Sequence, residues 1–265
     1  MTGARNEEIL GELVERALLH PEDGLLQFGS LLSAHQYRHL YRLCRRYLPA
    51  GATVLDWGAG NGHFSYFLQR AGYRAAGFSM LEATFPRWLP DPSYDLSRGA
   101  EADPVRLPYA EERFDAVASI GVLEHVRETG GSEGASLREI ARILRPGGVF
   151  LCYHFPNRWS WIDRVARQVP GAHRHDYRYG RRDIEALAAD AGLQLLECAR
   201  YGVLPRNFGG RLPEACRRSR LLARIWDALD SVLGIPLAAI SQNFYFVARK
   251  PEPDSSGGRI FRKAT

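Results

Sequence analysis

The stretch Val54-Leu55-Asp56-Trp57-Gly58-Ala59-Gly60-Asn61-Gly62-His63-Phe64 carries the strongest chemical signal in the chain. An apolar run ends in an acid, and Gly58, Gly60 and Gly62 follow at two-residue spacing before a helical pattern begins. Such a pattern predicts a strand, a tight turn and a helix N-terminus, where residues without Cβ let a ligand lie against the backbone. A dinucleotide turn reads G-x-G-x-x-G, and a P-loop needs a Gly-Lys-Ser/Thr that is missing here. Asp56 can organise a cationic group at the strand end; as a purely structural residue it would satisfy amides at the helix start. Imidazoles suit proton removal near neutrality, which makes His125, His154, His173 and His175 the candidate bases. The His-x-His of 173–175 beside Asp176 has metal-ligand spacing. No third ligand is evident nearby, so no metal site is expected.

The elements that must position these groups alternate. Apolar runs predict strands at 53–57, 74–78, around 98–102, 114–121, 149–155, 193–200 and 243–249. Helical periodicity predicts helices at 63–71, near 82–88, at 134–144 and at 181–191. The order implies an α/β, Rossmann-like, doubly wound and mostly parallel seven-stranded sheet. Ligands bind such sheets beyond the carboxyl ends of the strands. Apolar stripes at 6–19 and 31–48 predict an N-terminal helical cap over residues 1–50, ahead of a ligand-binding domain at 51–250. Residues 156–180 and 201–241 interrupt the alternation before and after the sixth strand and are expected to form an acceptor site or lid. The tail 251–265 is expected to be disordered.

Composition narrows the class. With 265 residues and 45% hydrophobic content the chain can bury a full α/β core. No apolar run approaches membrane-spanning length, and the cysteines Cys44, Cys152, Cys198 and Cys216 lack metal or disulfide-scaffold spacing. A cytoplasmic protein is expected. Residues 1–125 carry 12 Arg against 16 acids, whereas 126–265 carry 23 Arg/Lys against 14, so the basic charge is concentrated in the second half. A solvated arginine-biased surface accounts for this; an anionic substrate or membrane surface is the alternative.

The glycine turn resembles motif I of the class I S-adenosylmethionine (SAM) dependent methyltransferases, and further motifs follow in order over residues 50–152. Glu101-Ala-Asp103-Pro104-Val-Arg-Leu107-Pro108-Tyr109 with Phe114-Asp115-Ala-Val117 is similar to the family's D-x-x-x-L-P-F … F-D-x-V passage. Ile120-Gly121-Val122-Leu123-Glu124-His125-Val126 resembles the L-E-H-V passage of the type 11 and ubiquinone-biosynthesis enzymes, and Arg145-Pro146-Gly147-Gly148 closes the match. The resemblance implies SAM as cofactor, held by Asp56, Gly58, Ala59, Gly60 and Gly62. It places Asp103 and Pro104 at the adenine, and Ile120 and Gly121 beneath the sulfonium. At the end of the second strand, where the family has a ribose-gripping acid, this chain has Ser79 and then Met80. Ser79 makes a weaker grip, and Glu82 lies one helical turn later.

The same resemblance implies transfer to a hydroxyl of a small molecule, with His125 the best single base. The segment Tyr153–Trp161 with His173–Tyr179 resembles methyltransferases of glycan and lipid-linked sugar biosynthesis. It adds a saccharide or lipid-linked intermediate as acceptor, and its His154, His173 and His175 are the other candidate bases. Leu221, Leu222, Ile225, Trp226, Leu229, Val232 and Leu233 form an apolar helical face after a cluster of arginines. That face predicts a lid, or peripheral membrane contact through 217–233. An RNA or protein methyltransferase is the enzymatic alternative, although no base-methylating motif follows the fourth strand and no nucleic acid is expected. A methyltransferase fold serving only as a binding protein is the non-enzymatic one.

Overall fold

The computed structural model describes residues 2–80, 87–169, 171 and 174–253. Glu82, His173, most of the short helix expected near 82–88 and tail residues 254–265 lie outside the described residues. In chain order the elements are α1 (Thr2–Leu19), α2 (Leu31–Ala34), α3 (Arg38–Tyr47), β1 (Thr53–Trp57), α4 (His63–Arg70), β2 (Arg74–Ser79), β3 (Asp95–Arg98), β4 (Phe114–Ile120), α5 (Glu133–Ile143), β5 (Leu144–Pro156), α6 (Trp161–Ala166), α7 (Arg181–Asp190), β6 (Gln194–Tyr201), α8 (Glu214–Arg217), α9 (Arg220–Gly234) and β7 (Asn243–Arg249).

The strands form one seven-stranded sheet in the order β3-β2-β1-β4-β5-β7-β6. It is parallel except at β7, which runs antiparallel to both β5 and β6. From β1 the chain winds outward to β2 and β3, and from β4 it winds the other way to β5. The strand order therefore reverses between β1 and β4, and a ligand crevice belongs above their carboxyl ends. Those ends are Trp57-Gly58 and Ile120-Gly121.

Side chains on β1 alternate between two cores, as strand geometry demands. Val54 packs with Leu40, Phe64 and Phe67 on the side of the N-terminal helices. Leu55 and Trp57 pack with Leu137, Ile140 and Ile184 on the side of α5 and α7. Ion pairs tie α1 to the rest: Arg38 to Glu7 at 2.6 Å and Arg70 to Glu12 at 2.5 Å. On the α9 side, His35, Arg38 and Arg206 all converge on Asp227.

Three expectations need correction. The third strand spans Asp95–Arg98 rather than 98–102, because Ala100 and Asp103 turn back on each other in an isolated bridge. The expected helix over 31–48 is broken by a 3-10 turn at His35–Tyr37, which rotates Tyr37 inward. The Arg145-Pro146-Gly147-Gly148 stop lies within an irregular β5 rather than before it: pairing with β4 begins at Leu144, skips, and resumes at Val149.

Candidate active site

The glycine turn leaves β1 with Gly58, Gly60 and Gly62 all in the left-handed region, at φ 87°, 50° and 82°. A Cβ on Gly58 would lie 2.2 Å from Val122 Cγ2, so this glycine is required by packing against the end of β4. Gly60 differs. A Cβ there would meet only Gly58 O at 3.8 Å, so its upper face is open. The amides of Gly58 and Ala59 both donate to Phe78 O, which pins the turn to β2. Asp56 sits below the turn, 2% exposed, and accepts a 2.6 Å hydrogen bond from Ser65 Oγ on α4. Burial pushes its carboxyl up to about 7, against the lowering effect of that bond. Gly62 caps α4 without a side chain, and the Ser65 amide of the first turn bonds Asp56, so any ligand at this helix start is left the amides ahead of Ser65.

His63, the first residue of α4, was not singled out by its sequence. Its ring lies 5.0 Å from Tyr37 and 5.2 Å from Phe28, and its buried Nδ1 has no hydrogen-bond partner among the described residues. Asn61 Nδ2 donates to Gly24 O at 2.9 Å, so the N-terminal segment closes over the turn.

The second wall comes from β5. Between Cys152 and Phe155 its register with β7 shifts, and at this bulge His154 takes φ 67°. Bulges re-aim side chains, and here the bulge brings His154 beside Gly121. A Cβ on Gly121 would lie 3.9 Å from His154 Cβ and 3.8 Å from Glu124 Oε1. Tyr201 Oη accepts the His154 backbone N–H at 2.9 Å and meets the ring Nδ1 at 2.8 Å. Tyr37 and Tyr153 pack edge-on to the ring, and Asn243 Nδ2 lies 3.5 Å from Nδ1. Desolvation, and after it the field of His175, pushes His154 down to about 4, so the ring is neutral at pH 7.

These features fit a ligand that brings a carboxylate to the α4 amides and lays its chain over Gly60, as the methionyl part of SAM does. A methyltransferase-domain family model matches residues 31–198. The chain belongs to the class I SAM-dependent methyltransferases. SAM is its methyl donor. It is 35% identical over 203 residues to the demethylmenaquinone methyltransferase of Mycobacterium tuberculosis, covering 69% of this chain and 81% of the relative. It is 27% identical over 198 residues to a probable SAM-dependent methyltransferase of Mycolicibacterium smegmatis, covering 72% and 71%. Among solved structures, a Haloferax volcanii methyltransferase determined with the Trm112 activator superposes with a TM-score of 0.60 at 19% identity. That superposition covers 91% of this chain and 98% of the other.

The other expected cofactor residues of this methyltransferase are scattered around the crevice. Ser79 is buried at the end of β2. Met80 leans toward Gly99, where a Cβ would come within 2.1 Å of its sulfur, so Gly99 makes room for it. Asp103 is exposed, and its Oδ1 accepts the Arg106 N–H at 3.1 Å, which rigidifies the loop. Pro104 lies against Gly130. Tyr109, in the Leu-Pro-Tyr turn, buries its ring and donates to Gly77 O at 3.0 Å, a structural role.

His125 belongs to the segment that follows β4. It is on the 3-10 turn Leu123–Thr129, with Nδ1 2.7 Å from Glu128 Oε1 and its ring 6.0 Å from that of His175. The preceding Glu124 is 4% exposed, and burial pushes its carboxyl up to about 8. The insertion 201–241 lines a cavity of about 420 Å³ with Arg38, Arg42, Arg200 and Arg206, floored by Tyr153 and Tyr201. On α9 the expected single apolar face is split. Ala223 is buried and Asp227 and Asp230 line the cavity, while Leu221, Ile225, Leu229 and Val232 face solvent. None of the described helices is long and apolar enough to cross a membrane.

Proposed function

We propose that this methyltransferase moves the methyl group of SAM to a hydroxyl of a small, saccharide or lipid-linked acceptor, and that His154 receives the acceptor's proton. SAM, when bound, supplies an electrophilic methyl on a cationic sulfonium. Gly58, Gly60, Gly62 and the amides of α4 would hold its methionyl end, with Asp103 at the adenine and Ile120 and Gly121 beneath the methyl. In-line displacement gains most from positioning, with a base to take the proton as the nucleophile attacks.

The observation that carries the reading is the position of His154 beside Gly121 with its ring held by Tyr201. The Tyr153 hydroxyl donates to Gln36 O at 2.9 Å, and its ring stacks on Tyr201. Tyr201 Oη accepts the His154 backbone N–H and pairs with Nδ1. In the tautomer that carries its proton on Nδ1, the lone pair on Nε2 is the one that takes the acceptor's proton. A neutral imidazole held down near 4 is a modest base, which favours acceptors of phenolic or enolic acidity. The relative named for demethylmenaquinone supports a small-molecule acceptor. The exposed Leu221, Ile225, Leu229 and Val232 beside Arg217, Arg218, Arg220 and Arg224 support approach to an anionic membrane surface.

The test is methyl transfer from labelled SAM to a panel of phenols, saccharides and lipid-linked acceptors, with His154→Asn alongside wild type. Asn tolerates the left-handed backbone and keeps a polar contact with Tyr201, but it cannot take a proton. Loss of about 100-fold in kcat with SAM affinity retained supports His154 as base. An undiminished kcat removes that role, and methyl recovered on nitrogen or carbon overturns the hydroxyl assignment.

A further inference from the structure

We infer that Glu124, His125 and His175 bind one divalent transition-metal ion beside the methyl-transfer site. Each of the three offers a ligand atom within 4.8 Å of the others. Ligands about 2.1 Å from a common ion stand roughly 3.5 Å apart, so side-chain adjustments of about 1 Å close the set.

The surroundings are those of a prepared site. His125 Nδ1 lies 2.7 Å from Glu128 Oε1, and His175 Nδ1 lies 3.2 Å from Asp163 Oδ1. Metal-binding histidines commonly donate one ring N–H to a carboxylate, which fixes the tautomer and turns the other nitrogen to the ion. Asp163 is itself buried and held by the Ser160 cap at the start of α6. The third member supplies the independent observation. Glu124 is 4% exposed, its Oε1 is 3.9 Å from His125 Nε2, and its buried Oε2 has no hydrogen-bond partner among the described residues. A buried carboxyl oxygen without a partner is costly, and coordination to a cation relieves that cost.

Two imidazoles and one carboxylate suit Zn²⁺, Fe²⁺, Co²⁺ or Mn²⁺ rather than the all-oxygen shells of Mg²⁺ or Ca²⁺. Three protein ligands leave positions open. Gly121 separates Glu124 Oε1 from His154, so an acceptor oxygen bound at an open position would lie within reach of His154 and be acidified by the ion. This last step rests on the proposed hydroxyl transfer; the metal site does not.

The experiment titrates chelator-stripped full-length protein with Co²⁺, following its visible d–d absorption and the heat of binding. Wild type is compared with Glu124→Gln, His175→Ala, Asp163→Asn and, as a remote control, His20→Ala. One equivalent should bind with the spectrum of a nitrogen- and oxygen-ligated ion. Glu124→Gln and His175→Ala should abolish that spectrum, Asp163→Asn should weaken affinity about 10- to 100-fold, and His20→Ala should change nothing. SAM binding in each variant reports whether the fold survives. Co²⁺ binding indifferent to Glu124→Gln and His175→Ala overturns the site, as does absence of binding by wild type that still binds SAM. Failure of SAM binding in wild type is a separate result, directed at the cofactor site.

Discussion

Tyr201 Oη meets His154 twice, 2.9 Å from its backbone nitrogen and 2.8 Å from ring Nδ1. The phenol thus holds both the unusual backbone at φ 67° and the ring that this backbone presents. A non-glycine residue in that region costs on the order of 1 kcal/mol and persists where neighbours over-determine it. Tyr201→Phe removes both contacts while keeping the ring stack with Tyr153. The expected result is a fall in kcat of about tenfold or more, with SAM affinity near wild type by calorimetry. A change confined to KM for SAM would instead place Tyr201 in cofactor binding.

Gly58 and Gly60 occupy the same turn for different reasons, and substitution should separate them. Gly58→Ala brings a Cβ to 2.2 Å from Val122 Cγ2 in a backbone that alanine resists. It should lower stability by about 2 kcal/mol or more, and Val122→Ala should restore part of that loss. Gly60→Ala meets open space, so only the strain of its left-handed backbone, about 1 kcal/mol, should be lost in stability, while SAM affinity should fall at least about tenfold. Thermal melting and calorimetry on the four proteins check both. Equal SAM affinity for Gly60→Ala and wild type would remove Gly60 from the cofactor surface.

The contrast between these two glycines shows why this region is legible in the chain. A strand ending in an acid and three glycines at fixed spacing impose one backbone, and the structure places it at the β1–β4 switch point. His154, Tyr201, Asn243 and Tyr37 come from four separated stretches, and only the β5 bulge and the 35–37 turn bring them together. Neither irregularity has a hydropathy signature. His125 stands next to Glu124 in sequence, but His175 arrives from an insertion fifty residues on. A search for a third metal ligand near 173–176 therefore looks in the wrong place. The third strand is misplaced for a similar reason: Asp95-Leu-Ser-Arg98 is a short polar edge, and its pairing with β2 is a tertiary fact.

Asp227 joins α9 to the N-terminal helices, with His35 Nδ1 at 2.8 Å, Arg38 Nη1 at 2.6 Å and Arg206 Nη1 at 2.7 Å. Burial would raise its carboxyl, but the hydrogen bond from His35 and the charge of Arg206 prevail and hold it at about 2. A folded pKa below the unfolded value of about 3.9 stabilises fully above that value. The contribution is lost as pH falls from about 4 to 2. Asp227→Asn should therefore cost about 2 to 3 kcal/mol at pH 7, measured by urea unfolding. The gap from wild type should close as the pH approaches 2. A gap independent of pH would assign the loss to packing.

The outer face of α9 makes the last prediction. Leu221 is 70% exposed and Val232 68%, with Ile225 and Leu229 between them and Arg217, Arg218, Arg220 and Arg224 at the helix start. An apolar stripe flanked by cations binds anionic bilayers through shallow insertion plus about 1 kcal/mol per basic residue near the surface. The protein should sediment with phosphatidylserine vesicles and not with phosphatidylcholine alone, and added salt should weaken binding by screening. Replacing Leu221, Ile225 and Val232 with serine should remove binding at any salt concentration. Replacing the four arginines with glutamine should remove only the salt-sensitive part. Because the apolar side chains face solvent, their serine variant should melt near wild type, so lost binding cannot be blamed on unfolding. Equal sedimentation with both vesicle types would deny the arginines a part, and none with either would leave α9 as a lid alone.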